Sequence, residues 1–194
     1  MKKIIILFIL LMSLSGCSKE ELIEIVQDKI PSSQEGYEEL FSSLPDDPQT
    51  REDIFVITNG GLLHKEVWDS FYDHVSNGQN DQILIARYTI EGDVIYELLI
   101  CENGGFALYS DNSRDAYASA PVQDVFGKYL YYYETQFSET ADSSDRIFLR
   151  RFCFLSDTHF ETEDEFEKAL EENREGKRSD LSLVWSDEEP LKKG

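Results

Sequence analysis

Hydrophobic positions along the chain fall into one unbroken block, one helical stripe and a series of short runs separated by turn residues. The block is Ile4 to Met12 (IIILFILLM), nine apolar residues preceded by Lys2 and Lys3. Nine is too few to span a bilayer, which takes roughly 20, but it suits a secretory h-region of roughly 7–15. The stripe lies between Leu63 and Val75: Val67, Trp68, Phe71, Tyr72 and Val75 recur at helical spacing while Lys65, Glu66, Asp69 and Asp73 fall on the other side. This predicts an amphipathic helix ended by Asn77-Gly78. Ahead of it, the β-branched run Ile54 to Thr58, closed by Asn59-Gly60-Gly61, predicts a strand and a turn. After it, Gln82 to Ile90 and Val94 to Cys101 flank Glu91-Gly92-Asp93, and Asn103-Gly104-Gly105 leads into Phe106 to Ser110. Turns so closely spaced predict a meander. Gly127 to Thr135 and Arg146 to Leu155 add two strands around the polar loop Gln136 to Asp145. Thr162-Glu163-Asp164-Glu165 reads as a capping box. It opens a second helix toward Glu175 with Phe166, Ala169 and Leu170 inward, and Leu181 to Trp185 reads as a last strand.

This order implies a single α+β domain over residues 53–194: a curled antiparallel β-meander with one amphipathic helix on a face, in the order β-α-β-β-β-β, followed by a C-terminal helix and strand. Cystatin-like folds share that order, an architectural analogy that carries no function. Residues 18–52 hold ten acidic and three basic residues with Pro31, Pro45 and Pro48, which predicts an acidic tether. Within it, Glu20 to Lys29 could form only a brief helix, marginal without a packing partner.

The block near the N-terminus runs into Leu14-Ser15-Gly16-Cys17. This resembles the bacterial lipobox, in which small residues admit the peptidase and the Cys thiol receives a diacylglyceryl group before cleavage on its N-terminal side. The expectation is a lipoprotein signal peptide at 1–16, lipid attachment at Cys17, a lipidated Cys and tether over 17–52, and an address on the extracytoplasmic face of the cell membrane. Anchoring by two or more acyl chains is stable where one chain is marginal.

Charge narrows the partners. Against 18 Lys and Arg stand 39 Asp and Glu, a net charge of -21 over 194 residues, with 12% aromatic residues. So many rings argue for a packed core rather than a disordered acidic chain. A surface this anionic repels phosphates and anionic headgroups, which excludes nucleic acid and electrostatic membrane adhesion. What remains is membrane attachment through the lipid on Cys17, and an envelope protein or peptide as partner. The charge forms no single patch: it is -7 over residues 18–52, -9 over 53–155 and -7 over 156–194.

Reactive constellations are sparse. There is no G-x-S-x-G elbow, and Ser110-Asp111-Asn112 stands without the S-x-x-K and K-T-G that accompany it in penicillin-recognising enzymes. No catalytic residue is therefore assigned. Cys101 and Cys153 sit among apolar neighbours, as inert packing or as a disulfide if their strands adjoin. Three His without H-E-x-x-H or C-x-x-C imply no metal and no cofactor. Asp111-Asn112-Ser113-Arg114-Asp115 begins like a calcium loop, but Ala116 replaces its Gly and Val122 its bidentate Glu. Tyr129, Tyr131 and Tyr133 share one face of their strand, where such rings can stack on a sugar or a peptide; the reading preferred is a half-buried strand whose phenols reach water.

Asn59-Gly60-Gly61, Asn77-Gly78, Asp81 to Ile85, Tyr88 to Tyr96 and Asp111 to Tyr117 together resemble a domain family of bacterial, often Gram-positive, lipoproteins without an assigned activity. Its members carry a Y-T-x-E-G-D-P-I hairpin and a D-N-S-x-D-x-[FY] segment. The resemblance covers about residues 53–133 and departs at Val94, where the family usually has Pro; it implies the address and the domain, and no mechanism. In the residues themselves, Glu91-Gly92-Asp93 is a hairpin turn that needs Gly for a positive φ, and Asp111 to Asp115 is an Asx-rich turn. A ligand site is expected where these loops and Arg87 meet, built from Arg87, Glu91, Asp93, Asp111, Arg114 and Asp115. The leading reading is a non-enzymatic binding module for a protein, peptide or envelope component. The alternative is a hydrolase using Glu91, Asp93, Asp111 and Asp115.

Overall fold

A computed structural model describes residues 3–6, 34–117, 122–141 and 144–190. The alternation of apolar positions resolves into two sheets, because several strands are apolar on both faces and each such strand must be covered twice. A short strand β1 (Lys3–Ile6) is followed, beyond the undescribed residues, by helix α1 (Gln34–Ser42) and a 3-10 turn at Pro48–Thr50. Then come β2 (Phe55–Thr58), β3 (Gly61–Leu63), helix α2 (Lys65–Ser76), β4 (Asp81–Tyr88), β5 (Val94–Glu102), β6 (Gly105–Asp111) and β7 (Val122–Gly127). The chain continues through β8 (Tyr129–Ala141), β9 (Ser144–Ser156), helix α3 (Glu163–Arg174) and β10 (Leu181–Pro190).

The first sheet has the order β3-β2-β4-β5-β6-β7. It is antiparallel except where β2 runs parallel to β4, with Phe55 beside Ile85. Parallel neighbours need a crossover, and α2 provides it. The second sheet is the antiparallel set β8, β9, β10, with β1 added at the free edge of β8. The fold is thus α+β, but the single curled meander of cystatin-like order is not formed. The correction has a local cause. At Gly127 the chain leaves one sheet for the other, and a Cβ there would lie 3.1 Å from both Leu155 Cβ and Ser156 N. Glycine permits the close crossing, and Lys128 N–H donates to Ser156 O at 3.0 Å.

Three apolar layers follow. Between the sheets, Phe55, Ile85, Leu99, Phe106 and Leu108 meet Leu130, Cys153, Leu155 and Trp185, with Trp68, Phe71 and Val75 of α2 closing one end. On the outer face of the first sheet, Tyr37 and Phe41 of α1 cover Val56, Leu84, Tyr96 and Leu98. On the outer face of the second, Phe166, Ala169 and Leu170 of α3 cover Tyr131 and Tyr133. Residues 34–52, expected as tether, therefore belong to the folded body: burying two rings offsets the ordering of a short acidic helix. The expected helix at 20–29 and the rest of the tether lie outside the described residues.

The N-cap of α3 is as expected, with Glu165 N–H donating to Thr162 Oγ1 at 3.3 Å. Cys101 and Cys153 occupy the same inter-sheet core as free, buried thiols. Burial pushes the Cys101 thiol up to about 11 and raises that of Cys153 well above its usual range.

Candidate binding surface

The six residues expected to form one site are divided by the first sheet. Side chains alternate along each strand. Arg87 shares a face with Ile83 and Ile85, toward the inter-sheet core, while Tyr96, Arg114 and Asp111 lie on the side covered by α1. Arg114 is a clamp rather than a ligand-binding group. Its Nη1 donates to Pro45 O at 2.7 Å, and its Nη2 to Phe41 O at 3.0 Å and Leu44 O at 2.9 Å. The guanidinium also lies 4.9 Å from the centre of the Tyr96 ring. It thereby satisfies carbonyls left over at the end of α1 and fixes that helix to the sheet.

The two acidic loops do meet, through one bond from a backbone N–H to the Asp93 carboxylate. Ala116 N–H donates to Asp93 Oδ2 at 3.3 Å, Ser113 N–H to Asp111 Oδ1 at 2.9 Å, and Tyr117 N–H to Asp115 Oδ1 at 2.8 Å. The last two are Asx turns, which build the loop itself. Glu91 is exposed at the hairpin tip beside Gly92, whose φ is 95°. Cys17 lies outside the described residues. Among the described residues no three His, Cys, Asp or Glu are grouped to hold a metal ion.

Arg87 pairs instead with Glu97, a carboxylate only 2% exposed in β5. Ser110 Oγ donates to the same Oε1 of Glu97 at 3.3 Å. Desolvation holds the Glu97 carboxyl above the ordinary range although Arg87 and Ser110 both pull it down. Glu97 is not among the expected site residues, yet one sign of it was readable: it is the one acid inside Val94 to Cys101. It lines none of the grooves found among the described residues, and it joins Arg87 of β4 to Ser110 of β6.

Space for a ligand lies on the second sheet. A groove of about 590 Å³ runs between α3 and the outer face of β8 and β9. Its floor is Tyr133 and Phe152, stacked with ring centres 6.3 Å apart, together with Leu170. Arg150, Lys168 and Arg174 supply positive rim charges; Asp164, Glu167 and Glu171 supply negative ones. Tyr133 OH donates to Glu167 Oε1 at 2.7 Å, tying floor to wall. Deeper in the layer, Tyr131 is fully buried, donates to Thr158 O at 3.1 Å and accepts from Phe160 N–H at 2.8 Å. Its phenol is thus part of the core, whereas that of Tyr133 borders the groove.

On the opposite face of the same sheet, Arg151 gathers three carboxylates from two neighbouring strands: Glu134 at 3.3 Å, Asp187 at 2.9 Å and Glu189 at 2.8 Å. Desolvation raises the Asp187 carboxyl against the pull of Arg151. This network keeps β8, β9 and β10 in register below the groove. The sequence reading had singled out Tyr133 and Leu170 of the groove but not their meeting, because the lining comes from three elements whose adjacency only the sheet order sets.

Fold and surface together define a class, an α+β protein of two stacked sheets with a helix on each outer face. Comparison with family models, with curated proteins and with solved structures finds no match for the chain.

Proposed function

We propose that the protein is a lipid-anchored extracytoplasmic module, held through Cys17, that binds a protein, peptide or envelope component in the groove between α3 and the second sheet. The observation that carries the binding half is the groove itself: an aromatic floor gives contact area, and a rim of both charge signs gives specificity for a polar chain rather than for a lipid. Lys2-Lys3, the apolar block and Leu-Ser-Gly-Cys carry the address. The hydrolase alternative loses support because Asp111 and Asp115 are engaged as turn acceptors, Asp93 accepts from Ala116 N–H across the two loops, and Glu91 is exposed at a hairpin tip.

Two measurements test the halves separately. In cells fed an alkyne fatty acid, the native chain should be labelled and Cys17→Ala should not; label persisting in the variant overturns the anchor. For binding, the mature protein and a variant with Arg174→Glu and Glu171→Trp should be compared in crosslinking pull-downs from envelope extracts. Loss of a captured partner only in the variant supports the groove, and equal capture by both overturns it.

A further inference from the structure

The outer edge of β8 has one neighbour among the described residues, and it is β1. Lys3 stands opposite Glu134, Ile4 opposite Tyr133, Ile5 opposite Tyr132 and Ile6 opposite Tyr131, in antiparallel register. The other side of β8 is fully engaged by β9. If Cys17 is processed as proposed above, residues 1–16 leave and take β1 with them. Among the described residues nothing then pairs with the edge at Tyr131–Glu134.

Exposed edges are usually blunted by Pro, Lys, bulges or a covering element. From Tyr129 to Ala141, β8 contains no Pro, Lys or Gly, and its pairing with β9 runs through all 13 residues without a register shift. The edge is therefore long, regular and bordered by aromatic residues, the condition for accepting a further strand.

We propose that the mature protein binds an extended peptide segment by strand addition to β8 at Tyr131–Glu134, with aliphatic residues at alternate positions and a basic residue at one end. Deepening the proposed function, this rests on removal of residues 1–16. The peptide chemistry follows from the register. Positions opposite Tyr131 and Tyr133 lie on the face that carries the groove, where the floor is Tyr133, Phe152 and Leu170. The position opposite Glu134 faces a carboxylate whose Oε2 is already held by Arg151 at 3.3 Å, and a cross-strand basic residue would join that network, since opposite charges across a strand pair are favourable. A body with net charge -23 after loss of Lys2 and Lys3 and no acid adds a general preference for a basic segment.

The test uses the mature lipidated protein in detergent and, as probe, a synthetic peptide of sequence KKIIIL, followed by hydrogen–deuterium exchange. Protection of amides within 131–134 by about tenfold or more, absent with the sequence KKDIDL, is the expected result. The uncleaved Cys17→Ala chain should show the same protection without peptide and should not bind the probe. Three outcomes overturn the proposal: no protection at saturating probe, equal binding by mature and uncleaved chains, or protection without probe that grows with protein concentration, which would assign the edge to a second copy. If protection fails while fatty-acid labelling and partner capture persist, strand addition alone is lost and the anchored binding module stands.

Discussion

The Arg114 guanidinium reaches three backbone carbonyls and one aromatic ring; Phe41 O and Pro45 O keep second donors in Leu44 N–H and Tyr96 OH, so its loss removes these charge-assisted bonds and leaves Leu44 O without the donor that Arg114 supplies. Arg114→Ala should destabilise the protein by about 2 kcal/mol in urea unfolding, and Arg114→Lys should rescue little, because an ammonium lacks the planar fork. Glu97 makes the opposite kind of prediction. Its carboxyl is raised in the folded state by desolvation, so the fold binds a proton that the unfolded chain has already released. Stability should fall as pH rises from the unfolded value, about 4.3, through the raised folded value, and Glu97→Gln should flatten that slope in pH-dependent unfolding. Asp180 works in reverse. Arg178 holds it down to about 2, so its contribution is present above the unfolded value, about 3.9, and is lost as pH falls toward 2.

At the scale of elements, α1 is where a sequence reading and the fold part most clearly. Glu38 and Glu39 with Ser42 and Ser43 look like linker, yet Tyr37 and Phe41 lie three and four positions apart from apolar neighbours and dock on Val56, Leu84 and Tyr96. A chain beginning at Asp53 should therefore expose that apolar face: enhanced binding of an apolar dye and a lower urea midpoint than the chain from Ser18 are expected. The amphipathic helix was readable because its stripe is strong, and α2 begins at Lys65 within two residues of the expected start. β7 was not readable, since Val122 to Gly127 carries Gln123 and Asp124 and only its pairing with β6 makes it a strand. In β10 a register shift between Leu183 and Trp185 lets consecutive Val184 and Trp185 both be buried, which simple alternation would not foresee.

For the molecule as a whole, charge and the proposed lipid attachment pull in opposite directions. The lipid-free chain from Ser18 carries -23, so it should not co-sediment with phosphatidylglycerol vesicles at low salt, whereas the lipidated form should; binding by the lipid-free chain would mean that some surface overrides the repulsion. The sequence by itself determined what depends on neighbours in the chain: the stripes of α2 and α3, the N-cap of α3, the hairpins and the α+β class; the apolar block and Leu-Ser-Gly-Cys, on which the proposed anchor rests, are likewise local patterns. Those features are local, and local chemistry is written residue by residue. Tertiary structure alone decided that the strands divide into two sheets at Gly127, that α1 joins the core, that Arg87 and Arg114 lie on opposite faces of one sheet, and that Tyr133, Phe152 and α3 enclose a groove. Each of these depends on which distant segments pair, and pairing is selected by the burial of whole faces at once.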